Sequence, residues 1–217
     1  MNIYHLYSSE LIWPRGLPLE RIHEPPPGSA REQSIVEVEA PIQQGLINGS
    51  PDVDAIWRHI FDHPVTFSDG PSQFLASGTW CPFNSQSTWW WPMAYPLMYL
   101  PSYCSFRMTD IWRSFVAQRC LWELDLGIAF HSPEAVQERN QHNLKQDFLD
   151  EVPGYENNSF MSDWLEGTQL EGSVGSTGRN LLKCYASLVD KGVFPGQELP
   201  LVEAWLQDLN QDGHTLA

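Results

Sequence analysis

The 217-residue chain carries 27 acidic against 12 basic residues, a formal charge of −15, and 42% of it is hydrophobic. It is long enough to bury one sizeable core. Its charge excludes nucleic acid and anionic membrane surfaces as partners, because both need clustered Lys and Arg.

An anionic ligand therefore requires a local positive site or a bound cation. The sequence holds no run of about 18 apolar residues, so no membrane span is expected. The opening "MNIYHLYSSE" lacks the basic and long apolar regions of a signal peptide, which gives a cytoplasmic location as the expectation. Cys81, Cys104, Cys120 and Cys184 form no C-x-x-C pair and read as thiols of a reduced compartment.

In chain order, "NIYHLYSS" reads as a first strand and "WPRGLPLERI" as a turn punctuated by Pro14, Gly16 and Pro18. "HEPPPGSARE" is a proline-stiffened loop, and "SIVEVEAPI" alternates as a strand with one wet face. "QQGLINGSPDVDAIWRHIFDH" passes through a turn into a short helix capped by Ser50 or Asp52. "PVTFS" and "QFLASGTW" read as short strands, "PMAYPLMYLP" as at best a short helix, and "SYCSFRM" as a strand. "FRMTDIWRSFVAQRCLWEL" is a helix almost apolar all round, followed by the strand "GIAFHSP", whose apolar run fits a strand covered on both faces. "PEAVQERNQHNLKQDFLDEV" reads as a polar helix or helical loop. After "PGYENN" come an amphipathic helix, "TGRNLLKCYASLVDKG", stopped by Gly192, and a second, "LPLVEAWLQDLN". The expectation is an α/β body over residues 1–155 and a helical appendage over 156–217.

Several residues carry candidate chemistry. Asp110 opens the buried helix, where the macrodipole stabilises an anion without any catalytic role. The same position, beyond a strand end, also suits a base for an acceptor hydroxyl. Arg113 stands three residues on and can steady that carboxylate; Arg119 reads as a buried ion pair or a carbonyl cap. Either arginine could instead clamp a phosphate or carboxylate. His131 ends the apolar strand and reads as a hydrogen-bonded edge residue or as a divalent-metal ligand. Asp52 and Asp54 form an acid–x–acid pair, a pattern that can hold a divalent metal on a nucleotide diphosphate, but two acids at a helix start are also ordinary capping chemistry. The ten tryptophans, several of them in "GTWCPFNSQSTWWWPMAYPLMYLP", serve core packing or a sugar-stacking platform. No P-loop, nucleophile elbow or H-E-x-x-H occurs.

"WPRGLPLERI", "QQGLINGSPDVDAIWR", "FNSQSTWWW", "FRMTDIWRSFVAQRCLWEL" and "VQERNQHNLKQDFLDEVPGY" together resemble, in that order, the glycosyltransferase-like domain of the STELLO family. A more distant likeness is to the UDP-arabinopyranose mutases, through the R-G-x-P turn, the D-x-W helix start and a strand ending in His-Ser. The likeness covers about residues 10 to 157. It implies a GT-A-like mixed sheet flanked by helices, and a nucleotide-diphosphate sugar as donor with a glycan or small molecule as acceptor. By the likeness Asp110 is the base on the acceptor-side helix. His131 completes a site for a divalent metal, Mn²⁺ or Mg²⁺. Arg15, Trp112 and Arg113 contact substrate, and Arg15 matches the arginine that is glycosylated in the mutases. In such enzymes the donor half precedes the "WPRG" turn, and only twelve residues precede Trp13 here. The expectation is thus an acceptor-side half that works with a donor site from a partner chain or a longer protein. The alternative is a non-catalytic binding or assembly module of the same fold. A glycoside hydrolase fits the tryptophans but lacks a patterned acid pair.

Overall fold

The computed structural model describes residues 1–25, 37–138 and 143–211. Its centre is a four-stranded mixed sheet of order β2-β4-β1-β3, formed by β1 (Ile42–Gly49), β2 (Gln73–Leu75), β3 (Thr88–Trp90) and β4 (Ile128–Gln137). β1 and β4 are parallel, and the two short outer strands run antiparallel to their neighbours. The helices are α1 (Ala55–Ile60), α2 (Thr109–Trp122), α3 (Leu144–Gly167), α4 (Thr177–Asp190) and α5 (Glu198–Gln211). This is the GT-A-like mixed sheet with a helical C-terminal region that the sequence implied. No helix among the described residues is long and apolar enough to cross a membrane.

The parallel pair sets the frame. Ile42, Leu46, Ile128 and Phe130 enter the core together with Phe115 and Val116 of α2. Every residue of α2 from Ile111 to Leu121 is buried, which explains its lack of a polar face. Such a helix can carry arginines only where their charge is met. Arg119 pairs with Glu123 at 2.6 Å and donates to the Leu165 and Thr168 carbonyls at 2.7 Å, so it closes the end of α3. Arg113 lies against the rings of Phe83 and Trp90, its guanidinium carbon 5.6 and 4.9 Å from their centroids.

Several expected elements differ. The first segment is a 3₁₀ turn, Ile3–Leu6, started by Asn2, whose side chain accepts from the Tyr4 N–H; Ile3 and Tyr4 are adjacent and both buried, which an alternating strand forbids. "QQGLING" is strand rather than turn. Gly45 is extended there by its pairing with β4, and the Glu134 side chain lies where a Cβ would stand. Of "SIVEVEAPI", residues 34–36 lie outside the described residues, 37–40 form no regular element, and β1 begins at Ile42. Residues 26–36, which take in most of the expected loop "HEPPPGSARE", and residues 139–142 lie outside them too. "PVTFS" contributes one bridge, Val65 to Gly49. "SYCSFRM" is loop and 3₁₀ turn, because buried Glu198 of α5 accepts the Ser102 and Tyr103 N–H groups that a strand partner would have taken. Asp54, not Ser50 or Asp52, caps α1, with its Oδ1 2.8 Å from the Ile56 N–H.

α3 runs through Pro153 and Gly154, so position 155 lies inside a helix, and one core cluster draws residues from both sides of it. Proline weakens a helix interior. Here packing on α1 and α2 holds the helix together, with Met108 seated where a Gly154 Cβ would be. The cysteines are thiols, and Cys81, Cys120 and Cys184 are buried.

Candidate active site

β1 and β4 end side by side, and their carboxyl ends open onto a cavity of about 420 Å³. Crevices at the carboxyl ends of parallel strands are where α/β sheets place ligands. Ser50, Pro51 and Asp52 follow β1 into its wall, and Gln137 ends β4 there. The other lining side chains are mostly polar: Arg15, Arg58, Asn84, Ser85, Gln86, Arg107, Asp110 and Asp147.

Arg15 organises this wall. The R-G-x-P turn places it opposite the turn after β1, where Pro14 bridges Val53 and the Arg15 N–H reaches the Asp52 carbonyl. Gly16 makes the turn possible with φ of +88°, and a Cβ there would collide with Ile111. The guanidinium takes Asp52 with two nitrogens, Nε to Oδ1 at 2.9 Å and Nη2 to Oδ2 at 2.7 Å. Nη2 also lies 3.0 Å from Asp110 Oδ1, and Nη1 donates to the Arg107 carbonyl. The fork geometry suits a planar carboxylate better than an ammonium would.

Asp110 sits in the first turn of α2, and its Oδ2 also accepts the Ser85 N–H at 3.0 Å. Burial alone would raise its carboxyl. The charge of Arg15, its hydrogen bond and the charge of Arg113 together hold the carboxyl below the ordinary aspartate value. Asp110 is thus an ionised acceptor at neutral pH. The two nearby carboxylates also carry the Arg15 guanidinium, buried as it is, well above its usual pKa.

Beneath the wall lies a second carboxylate pair. Glu151 of α3 is wholly buried; its Oε1 takes Arg107 Nε at 2.9 Å and Nη2 at 2.5 Å, and its Oε2 takes the Ala55 N–H at 2.9 Å. Asp54 is wholly buried beside it. Burial, with the Glu151 charge as the next cause, pushes the Asp54 carboxyl up to about 7.

Of the residues expected from sequence, Arg15 and Asp110 meet in the cavity wall. Trp112 and Arg113 are not among its lining residues. Trp112 is core: its indole donates to Asn158 Oδ1 at 2.9 Å and stands edge-on to Phe194. The helical step that turns Asp110 outward turns its next two residues inward, and the Arg113 charge goes to aromatic faces. Burial lowers the Arg113 guanidinium to about 10.

His131 lies six residues before the end of β4, about 20 Å along the strand from Gln137. Its Nδ1 is 2.7 Å from Ser72 Oγ and its Nε2 2.8 Å from Gln43 Oε1, with Trp89 alongside. Gln43 Oε1 can only accept, so Nε2 carries the hydrogen in this pairing. Both nitrogens are engaged by neutral groups, and the described residues contain no group of three or more His, Cys, Asp or Glu side chains able to hold a metal. The residues around His131 therefore do not fit a metal site.

Sequence reading missed Arg107 and Glu151. Arg107 was visible only as a helix-start residue and Glu151 only as one acid of a polar helix. It treated Asp52 as a cap, whereas Asp52 is the main partner of Arg15.

A family model described as STELLO glycosyltransferases matches residues 107–217. The chain is 30% identical over 225 residues to a protein named probable glycosyltransferase STELLO1, and 28% identical over 223 residues to probable glycosyltransferase STELLO2, both from Arabidopsis thaliana. Each match covers 99% of this chain and 28% of the relative, so the chain spans little more than a quarter of the length of these curated relatives.

Proposed function

The chain belongs to the STELLO glycosyltransferase family, and on that premise we propose that the cavity is the acceptor side of a sugar-transfer site that works with a nucleotide-diphosphate sugar. The observation that supports this best is the convergence of Arg15, Asp52 and Asp110, from three separate segments, at the carboxyl ends of two parallel strands. Amide, hydroxyl and carboxylate groups around the opening suit a polyhydroxyl acceptor, and Arg15, Arg58 and Arg107 moderate the −15 field where a diphosphate approaches.

In this reading Asp110 is the base. The acceptor oxygen forms its bond to the anomeric carbon while the bond from that carbon to the donor phosphate breaks, and the hydroxyl proton passes to Asp110. Arg15 keeps the carboxylate ionised and aimed, at the expense of basicity. Proton transfer then comes late, when the forming bond has made the hydroxyl acidic. A donor-binding half, in the same polypeptide or a partner chain, completes the site.

One observation favours a second reading, a binding or assembly module. Both Asp110 oxygens already accept hydrogen bonds, from Arg15 and from the Ser85 N–H.

Thermal melting with nucleoside diphosphates, their sugars and acceptor glycans, in Mn²⁺ or Mg²⁺, tests the proposal. A ligand at about 100 times its Kd stabilises by roughly 2.7 kcal/mol, which for a chain of this size is a shift of roughly 5–10 °C. Asp110→Asn is expected to keep that shift and to lose acceptor-dependent release of nucleoside diphosphate by about 100-fold or more. Binding without transfer in the unaltered chain supports the module reading. No shift with any acceptor glycan, measured with the donor-binding half present, refutes the acceptor-side reading.

A further inference from the structure

The buried carboxylate pair below the cavity has no place in the transfer step, yet it is joined to the cavity wall by direct contacts. Tyr155 of α3 places its hydroxyl 3.2 Å from Asp54 Oδ1 and 3.1 Å from Glu151 Oε2. Three oxygens stand in a row, and the tyrosine supplies one hydrogen. If both carboxyls are ionised, one of the two contacts is oxygen against oxygen with nothing between. If Asp54 keeps a proton, the row is complete: Asp54 donates to Tyr155, and Tyr155 donates to Glu151. Asp54 Oδ1 then still accepts the Ile56 N–H. Its Oδ2 makes no hydrogen bond of ordinary geometry among the described residues; the Trp13 indole, itself without a close partner, also faces this carboxyl and favours its charged form, a pull that burial outweighs.

Glu151 connects this row to the site. Its other oxygen carries Arg107, and the Arg107 carbonyl takes Nη1 of Arg15, which holds Asp52 and Asp110. The charged groups acting on the pair are Arg107 before α2, which bonds Glu151 through its side chain, and Arg15 in the N-terminal turn, while Asp52 after β1 faces Arg107 at 4.0 Å.

We infer that Asp54, Tyr155 and Glu151 form a proton-holding network under the cavity, and that Glu151 is the positioning residue through which the network sets Arg107 and Arg15. With one proton on the pair, Arg107 balances a single anion and its backbone stays docked on Arg15. When the proton leaves, two anions share Arg107 and one tyrosine hydrogen, and the wall around Arg15 and Asp110 loosens. The site is therefore ordered at acidic to neutral pH and loosens in alkali. The pair titrates as a unit, with a midpoint that belongs to both carboxyls. The inference rests on the cavity being the working site, but its test needs no ligand, so the two can fail separately.

The test is ¹⁵N NMR of the arginine Nε–H groups in the ligand-free chain from pH 5 to 8.5. Arg15 donates through Nε to Asp52 and Arg107 through Nε to Glu151, so both signals report the docked state. In the unaltered chain the two resonances are expected to move together with one midpoint near neutrality. Asp54→Asn should flatten both profiles, and Tyr155→Phe, which deletes only the bridging hydroxyl, should displace the shared midpoint. Glu151→Gln should uncouple Arg15 from Arg107. Flat profiles in the unaltered chain, or a midpoint unchanged in both Asp54→Asn and Tyr155→Phe, overturn the inference. A site that passes this test yet binds no nucleotide or glycan overturns the proposed function instead.

Discussion

Replacing Asp54 by asparagine removes a titrating group together with the hydrogen it donates to Tyr155, a loss that is the same at every pH. Asparagine is as good a helix N-cap as aspartate and can still accept the Ile56 N–H. Burial and the Glu151 charge raise the Asp54 carboxyl from 3.8 to about 7, so the native chain holds a proton that the unfolded chain has already released. The sign follows: stability from this group is full below pH 3.8, falls as pH rises, and levels off above 7. The slope is about 1.4 kcal/mol per pH unit. Between pH 5 and the midpoint near 7 the unaltered chain therefore loses about 2 kcal/mol that the variant keeps. For a chain of this length that corresponds to roughly 4–8 °C in melting temperature. Calorimetry of both proteins at pH 5, 6, 7 and 8 should show the variant gaining on the unaltered chain by that amount, with most of the gain complete by pH 7. Curves that stay parallel across this range would refute a protonated Asp54.

The other predictions concern residues whose roles the structure redistributes. Gly16→Ala forces a side chain into the left-handed region and against Ile111, so urea denaturation should show a loss of roughly 1–3 kcal/mol. Trp112→Phe leaves buried Asn158 Oδ1 without its donor and should cost about 1–3 kcal/mol while leaving any nucleotide-induced melting shift intact. His131→Ala breaks two half-exposed hydrogen bonds and should cost about 1 kcal/mol. A melting shift with nucleotide and Mn²⁺ that disappears in His131→Ala would restore the histidine to the site.

Some of this protein was readable from the chain alone. The stretch 111–121, with apolar residues on every side of the helix, marked the buried α2, the amphipathic spacing marked α4 and α5, and five motifs in order marked the family. Those signals are local, since helix periodicity and cap chemistry act within a few residues. The short strands were less readable. Gly45 and Gly49 argued for a turn where the sheet wanted a strand, and Glu198 took the donors of a segment that looked extended.

The make-up of the cavity wall was decided by tertiary structure. Arg15 meets Asp52 across 37 residues and Asp110 across 95, and Glu151 reaches Ala55 across 96. Charge type and burial pattern mark each of these as a candidate. Only the order of the strands and the packing of α3 on α1 and α2 determine which charges share a wall. That is also why Asp110 lines the cavity, Trp112 packs into the core, and Arg113, one turn on from Asp110, is taken up by the rings of Phe83 and Trp90. One turn of helix points neighbouring residues in different directions, and which direction is the cavity depends on what the rest of the chain packs against.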